Sequence, residues 1–495
     1  MEVKNTRHPS GLYTLFATEF WERFSYYGMR ALLVLYLTAT FADGGFGMER
    51  SDALEIYAIF TGLVYLTPIL GGLLADKYLG QRKAIFIGGI VMAVGQFTLA
   101  SSVSYGIDGN MAMREFLLYC GLGFLIMGNG FFKPNISTIV GGLYDQNDPR
   151  KDSAFTIFYM GINSGAFLSP FIAGGLGEKV GWQYGYMSAG GGMILSLIWF
   201  YVRRVSLKQV GLPPNSEESK LNLVFKDLLD IIYYSVGCVL AVAGIVKLLD
   251  ILNESTIDTI SLAAIIVGSI YVIWTIFKGT KGKTEWSRVG AIILLAFFHV
   301  VFWAGFEQAG GTFNLFAQEN TDRMVFGWEV PASWFQSLNP VFIITMGIPF
   351  SMLWIWLSQL GKNPRTPYKF GFGLLILGIG FLLMIIAQGN ANKGILVSPL
   401  WLVGVYFLHT SAELCISPVG LSLITKLSPQ KIVSVMMGLW MGSIALGNYL
   451  AGTMEAILEK FDIELYPFLA VESISAAVIV IILGPILTKM MKGIH

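Results

Sequence analysis

The sequence predicts an all-α membrane protein of fourteen spans, and three observations carry that prediction. First, 54% of its 495 residues are hydrophobic, only 13% are charged and the mean hydropathy is +0.63, which excludes an ordinary soluble domain. Second, polar, Gly/Pro-rich connections cut the chain into apolar segments of spanning length. Third, the cationic residues alternate between those connections. Of the 33 Lys and Arg, 23 fall in connections that are cytoplasmic if both termini are, seven in the opposite set, and three (Arg23, Arg30, Lys133) within spans. Such a bias supports an even number of spans with both termini inside, because an odd number breaks the alternation. The formal net charge of +1 gives no reason to expect nucleic acid as a partner. Cys120, Cys238 and Cys415 lie far apart in apolar segments and read as packing residues, with no metal or redox spacing. The polar head MEVKNTRHPS runs directly into a full-length span, so no cleavable signal is expected.

In order, the spans are predicted at about 13–41, 53–77, 83–103, 113–142, 153–176, 183–204, 228–249, 258–277, 288–317, 338–360, 369–388, 398–426, 432–456 and 465–489. The first contains EFWERFSYYGMR (Glu19–Arg30). At about 100° per residue, Glu19, Arg23, Tyr26 and Arg30 share a stripe about 60° wide, with Glu22 at its border. Each charge near the bilayer centre costs about 2.5–3.5 kcal/mol on insertion scales, so this stripe must face protein or water. The basic stretch Arg203–Lys226, with Pro213, Pro214 and SEESK, is the best internal boundary. It divides the chain into a six-span bundle at 1–204, a linker with two charge-poor extra spans at 205–287, and a second six-span bundle at 288–495. Two related six-helix halves are the layout of many transporters.

Polar groups recur inside other spans. GNGFFKPNIST places Lys133 in an apolar run, beside a Pro134 whose freed carbonyl a cavity or Asn129 could satisfy. FYMGINSG sets Tyr159 and Asn163 on one helical face. Trp303 and Glu307 lie one turn apart, Asn339 precedes Pro340, and HTSAELCISP makes a stripe of His409, Glu413 and Ser417. Trp440 reads either as core or as a cavity wall. Four in-span acids (Glu19, Glu22, Glu307, Glu413) face three bases (Arg23, Arg30, Lys133), leaving one carboxylate in excess. Burial favours the neutral form of an unpaired carboxyl, so the set is suited to taking up a proton.

The tight turn GGLLADKYLGQRK (Gly71–Lys83) resembles the signature loop of the major facilitator superfamily, which implies a cytoplasmic gate built on Asp76, Arg82 and Lys83. GKNPRTPYK (Gly361–Lys369) takes the equivalent place later but lacks the Asp. E-x-x-E-R-F-x-Y-Y-G (Glu19–Gly28), GNGFFKPN, FYMGINSG and SAELCISP together resemble the proton-dependent oligopeptide transporter family over essentially the whole chain. That resemblance implies a bacterial member with the major facilitator fold, twelve helices in two bundles plus two inserted ones. It also implies proton-coupled import of di- and tripeptides, and of peptide-like drugs, by a monomer in the cell membrane. No cofactor is implied beyond the coupling proton, and no metal. Glu19, Glu22, Arg23, Arg30, Lys133 and Glu307 are then the coupling residues. Arg23 and Lys133 are expected to attract the peptide carboxylate and Glu413 its ammonium, with Asn163 and Asn339 as polar partners. Tyr26, Tyr27, Tyr65, Tyr159, Trp303, Ser417 and Trp440 complete the expected peptide site.

The chemistry of the residues points the same way. A short peptide is a zwitterion, and a site reading its two ends independently of its side chains needs a cation from one half and an anion from the other. Aromatic walls then tolerate varied side chains. Transport of nitrate or a peptide-like metabolite is the alternative within the superfamily. A membrane enzyme finds no HExxH, GxSxG or paired in-span aspartates to support it. A receptor or scaffold does not account for a mid-span lysine and four glutamates.

Overall fold

The computed structural model describes residues 7–107, 109–145, 148, 150–212, 225–252 and 254–493. Residues 213–224, which include Pro213, Pro214 and SEESK of the expected boundary, lie outside them. Fourteen long helices follow the fourteen expected spans. They are α1 (Ser10–Thr38), α2 (Arg50–Leu74), α3 (Gln81–Ile107), α4 (Met111–Gly142), α5 (Lys151–Ser169), α6 (Trp182–Arg203) and α7 (Phe225–Ile251). Then come α8 (Glu254–Gly279), α9 (Gly282–Phe306), α10 (Leu338–Gln359), α11 (Thr366–Ala391), α12 (Leu400–Leu427), α13 (Val433–Glu459) and α14 (Leu465–Met490). The protein is a multi-pass membrane protein: among the described residues, twelve helices are long and apolar enough to cross a bilayer. The other two have identifiable reasons for failing that test. Helix α1 carries Glu19, Glu22, Arg23 and Arg30, and the apolar stretch of α8 among the described residues is only Ile265–Gly279. After α9 the chain turns through Glu307–Ala309 into a short helix, Thr312–Asn320. A two-residue hairpin follows, pairing Met324 with Glu329 and Val325 with Trp328.

By packing, the chain forms two compact units. One comprises Met1–Met48 and Leu63–Leu248; the other comprises Glu49–Gly62 and Leu249–His495. These cuts differ from the three sequence segments: the first half of α2 packs with the second unit, and the inserted helices α7 and α8 are divided between the two. In the first unit α1 packs on α5 and α6, and α3 packs on α4 and α6. In the second, α9 packs on α13 and α14, and α11 on α12 and α14. The second pattern is the first one repeated, as two related six-helix halves require.

Lipid is as apolar as leucine, so the helices gain little by hiding apolar side chains from it; close backbone approach through small residues is the usual substitute. Helix α5 meets α1 through the Gly161–Gly165 pair, a G-x-x-x-G. A Cβ on Gly161 would come within 3.0 Å of the Phe16 carbonyl oxygen, and one on Gly165 would overlap the Phe20 carbonyl. Further along α1, a Cβ on Gly28 would lie 2.8 Å from that of Ala173, in the turn that continues α5. The large exposed side chains, such as Ile265, Val267, Ile348 and Met352, are apolar and suit a lipid face.

Gly165→Val is therefore expected to wedge α5 from α1 and destabilise the protein by about 1–3 kcal/mol. Thermal unfolding of the detergent-purified variant measures this, and an unchanged midpoint would contradict the tight crossing.

Candidate functional site

In the first unit, Glu19, Glu22 and Arg23 of the α1 stripe are buried and pair among themselves, while Arg30 is half-buried. Arg23 grips Glu22 at two points, Nη2 donating to Oε1 at 2.5 Å and Nε donating to Oε2. Its Nε also lies 3.3 Å from Glu19 Oε1, one helical turn back. The other Glu19 oxygen is buried without a hydrogen-bond partner. Beyond them the Arg23 guanidinium stands 5.1 Å from the Tyr26 ring centre, and that of Arg30 stands 5.6 Å from the ring of Tyr27. Carboxylates at i−1 and i−4 both reach Arg23 because its fork is long enough to bridge the stripe and its border.

Lys133 in α4 is half-buried, its ammonium 4.8 Å from the Tyr65 ring centre. The expected role of Asn129 does not hold: both its amide atoms are buried without a hydrogen-bond partner among the described residues. The carbonyl that Pro134 frees, on Gly130, instead faces Gly71 of α2, where a Cβ would overlap it. Pro134 and Gly71 thus belong to one crossing. Asn163 is buried and donates to the Tyr159 carbonyl at 2.9 Å within α5, while the Tyr159 side chain is exposed.

The expected gate turn is a wide helical turn, Ala75–Leu79, closed by Gly80 at φ 74°, a left-handed conformation that favours glycine. Asp76 is exposed and accepts from Gln81 Nε2 at 2.9 Å. Arg82 turns to the chain after α6: its backbone N–H donates to the Gly211 carbonyl (3.0 Å), and its guanidinium donates to the carbonyls of Val210 (2.8 Å) and Lys208. Lys83 pairs with Asp227 at 2.6 Å and Asp230 at 2.9 Å, fastening the first turns of α7. Sequence reasoning had no signal for either arrangement, because the partners lie more than 120 residues away.

In the second unit, Asn339 of α10 donates to Glu413 Oε2 at 3.0 Å and to Thr410 Oγ1 at 3.1 Å, so the expected pair of Asn339 and Glu413 is brought together. Ser417 Oγ, one turn on, is buried without a hydrogen-bond partner. His409 does not share their surroundings; it packs among Phe381 and Phe313, at ring separations of 4.8 and 5.6 Å. Glu307 is buried and accepts from Tyr57 at 3.4 Å. Trp440 is buried, stacked on His299 with ring centres 4.0 Å apart, and the half-buried Trp303 donates to the same histidine. Sequence reading missed His299, Tyr57 and Thr410. Only His299 carried a signal, its i,i+4 spacing to Trp303. The expected coupling and peptide residues therefore fall into two sets. Arg23, its two acids and Lys133 belong to the first unit; Glu413, Asn339, Glu307, Trp303 and Trp440 belong to the second.

A family model described as the POT family matches residues 82–474. The chain is 36% identical to the uncharacterized transporter YclF of Bacillus subtilis, over 98% of this chain and 96% of that one. It is 35% identical to the peptide transporter YePEPT of Yersinia enterocolitica, over 97% and 94%. A crystal structure of a variant of a peptide transporter POT, in complex with alafosfalin, superposes with a TM-score of 0.83 at 35% identity, covering 99% of this chain and 97% of that one.

Arg23→Lys keeps the charge but loses the two-point grip on Glu22. It is expected to cost about 1.5–3 kcal/mol of stability. A melting midpoint equal to wild type would show that the grip adds nothing.

Proposed function

The chain belongs to the POT family of transporters, and from that premise we propose that it is a proton-coupled symporter importing di- and tripeptides by alternating access. It is a transporter and not an enzyme. The observation that carries the reading is the division of charge: a buried cation already neutralised by carboxylates in one unit, and a buried carboxylate held by an amide in the other. In the resting arrangement Arg23 is occupied by Glu22. A proton on Glu22 removes its charge and leaves only one good acceptor oxygen, so the two-point grip opens. Arg23 and Lys133 are then available to the peptide carboxylate. Glu413, oriented by Asn339, takes the ammonium. The proton returned on the inner side restores the Glu22–Arg23 clamp and releases the peptide. Arg30 and Glu307 extend the proton path, and Tyr26, Tyr27, Tyr65, Tyr159, Asn163, Trp303, Ser417 and Trp440 line or support the peptide.

The proton is the only coupling species in this proposal, with no further cofactor. The protein works as a monomer in the bacterial inner membrane with both termini cytoplasmic, and it also accepts peptide-like compounds. Uptake of labelled dialanine into liposomes under an imposed pH gradient, competed by tripeptides, free amino acids and nitrate, tests the substrate class. Competition by nitrate alone would replace peptides with the alternative substrate.

Glu22→Gln is expected to lower proton-driven accumulation by about tenfold or more while sparing peptide-driven exchange. Concentrative uptake by that variant would remove Glu22 from coupling. Glu413→Ala is expected to raise the KM of free dipeptides by about 10- to 100-fold and to leave that of N-acetylated ones nearly unchanged. Equal losses for both would end its ammonium role.

A further inference from the structure

Histidine 299 lies in α9, one turn before Trp303, and no step of the proposed cycle uses it. It is buried, and both ring nitrogens are engaged. Trp303 Nε1 lies 2.7 Å from His299 Nε2, and an indole nitrogen can only donate, so Nε2 is the acceptor. Nδ1 therefore carries the proton and donates to Ser443 Oγ at 2.8 Å, and Ser443 in turn donates to the Trp440 carbonyl at 2.6 Å. All three hydrogen bonds run in one direction, which fixes both the tautomer and the ring plane. On that plane the Trp440 indole stacks, 18° from parallel, with Phe370 against it edge-on at 6.1 Å. Gly420 also packs on the Trp440 indole: a Cβ there would lie 2.5 Å from the ring. Gly447 lets α13 approach so closely that a Cβ there would stand 2.6 Å from that of Trp303. One imidazole thus holds two indoles from two helices, one by a hydrogen bond and one by its face.

We infer that His299 is a positioning residue that sets side-chain selectivity, by fixing Trp303 and Trp440 as a rigid wall of the peptide site. This rests on the peptide-transport reading above. His299 itself touches no substrate. A wall that cannot rotate discriminates between side chains by shape. Without the hydrogen bond the Trp303 indole has other rotamers open to it, and the pocket it bounds loses a fixed depth.

The test is uptake of dialanine and alanyl-phenylalanine into liposomes by wild type, His299→Phe and Ser443→Ala. His299→Phe keeps a stacking ring but offers Trp303 no acceptor; Ser443→Ala removes the two hydrogen bonds beyond the imidazole, leaves the one from Trp303, and is the milder change if the first variant fails to fold. The expected result is a change of about 3- to 10-fold in the ratio of the two KM values for His299→Phe, and a smaller change in the same direction for Ser443→Ala, with the maximal rate for dialanine little altered. A purely structural role predicts lower yield and rate with an unchanged KM ratio, and that result in every variant that folds would overturn the inference. Wild-type protein that accumulates neither peptide sinks the transport reading and this role with it. Wild-type uptake with an unmoved ratio sinks only the role of His299.

Discussion

A guanidinium buried in a membrane helix can persist only if its charge is answered locally, and the clamp of Arg23 by Glu22 and Glu19 supplies that answer. Much of the first unit follows from this need. Helix α1 must be walled off from lipid, so α5 and α6 close on it through glycines, and its apolar residues from Leu32 to Leu37 are buried almost completely. The same clamp is poised for chemistry. A charge held by two carboxylates is redistributed when one of them gains a proton, and the released cation seeks another anion. In the proposed cycle, structural necessity and coupling are two aspects of one interaction.

The second unit repeats the packing of the first but not its electrostatics. Where α1 carries a cation between acids, the equivalent α9 carries His299, Trp303 and, at its end, Glu307. Its carboxylates are steadied by neutral donors, Asn339 for Glu413 and Tyr57 for Glu307.

Hydropathy and charge alternation made the helices legible, and the spacing of Glu19, Glu22 and Arg23 made their cluster legible because all three share one helix face. The pairing of Asn339 with Glu413 was also anticipated. Contacts between distant segments were not. A cavity or Asn129 was read as satisfying the carbonyl freed by Pro134, but that carbonyl faces the backbone of Gly71. Arg82 and Lys83 read as gate charges, and their partners, the carbonyls after α6 and two aspartates of α7, could not be read from the sequence. His409 shares a helical stripe with Glu413, but an i,i+4 spacing does not determine which neighbour each side chain meets, and Phe381 and Phe313 enclose it. Trp440 was open between core and cavity wall; the structure buries it, stacked on His299.

Simultaneous recording of peptide and proton movement tests the central claim most directly. Wild-type protein is placed in liposomes loaded with a pH-sensitive dye, with no initial pH gradient and an imposed negative interior potential. If the buried carboxylate–arginine cluster exchanges a proton in each cycle, adding dialanine outside should acidify the lumen in step with its uptake. Accumulation of the peptide with no change in lumenal pH would contradict the account.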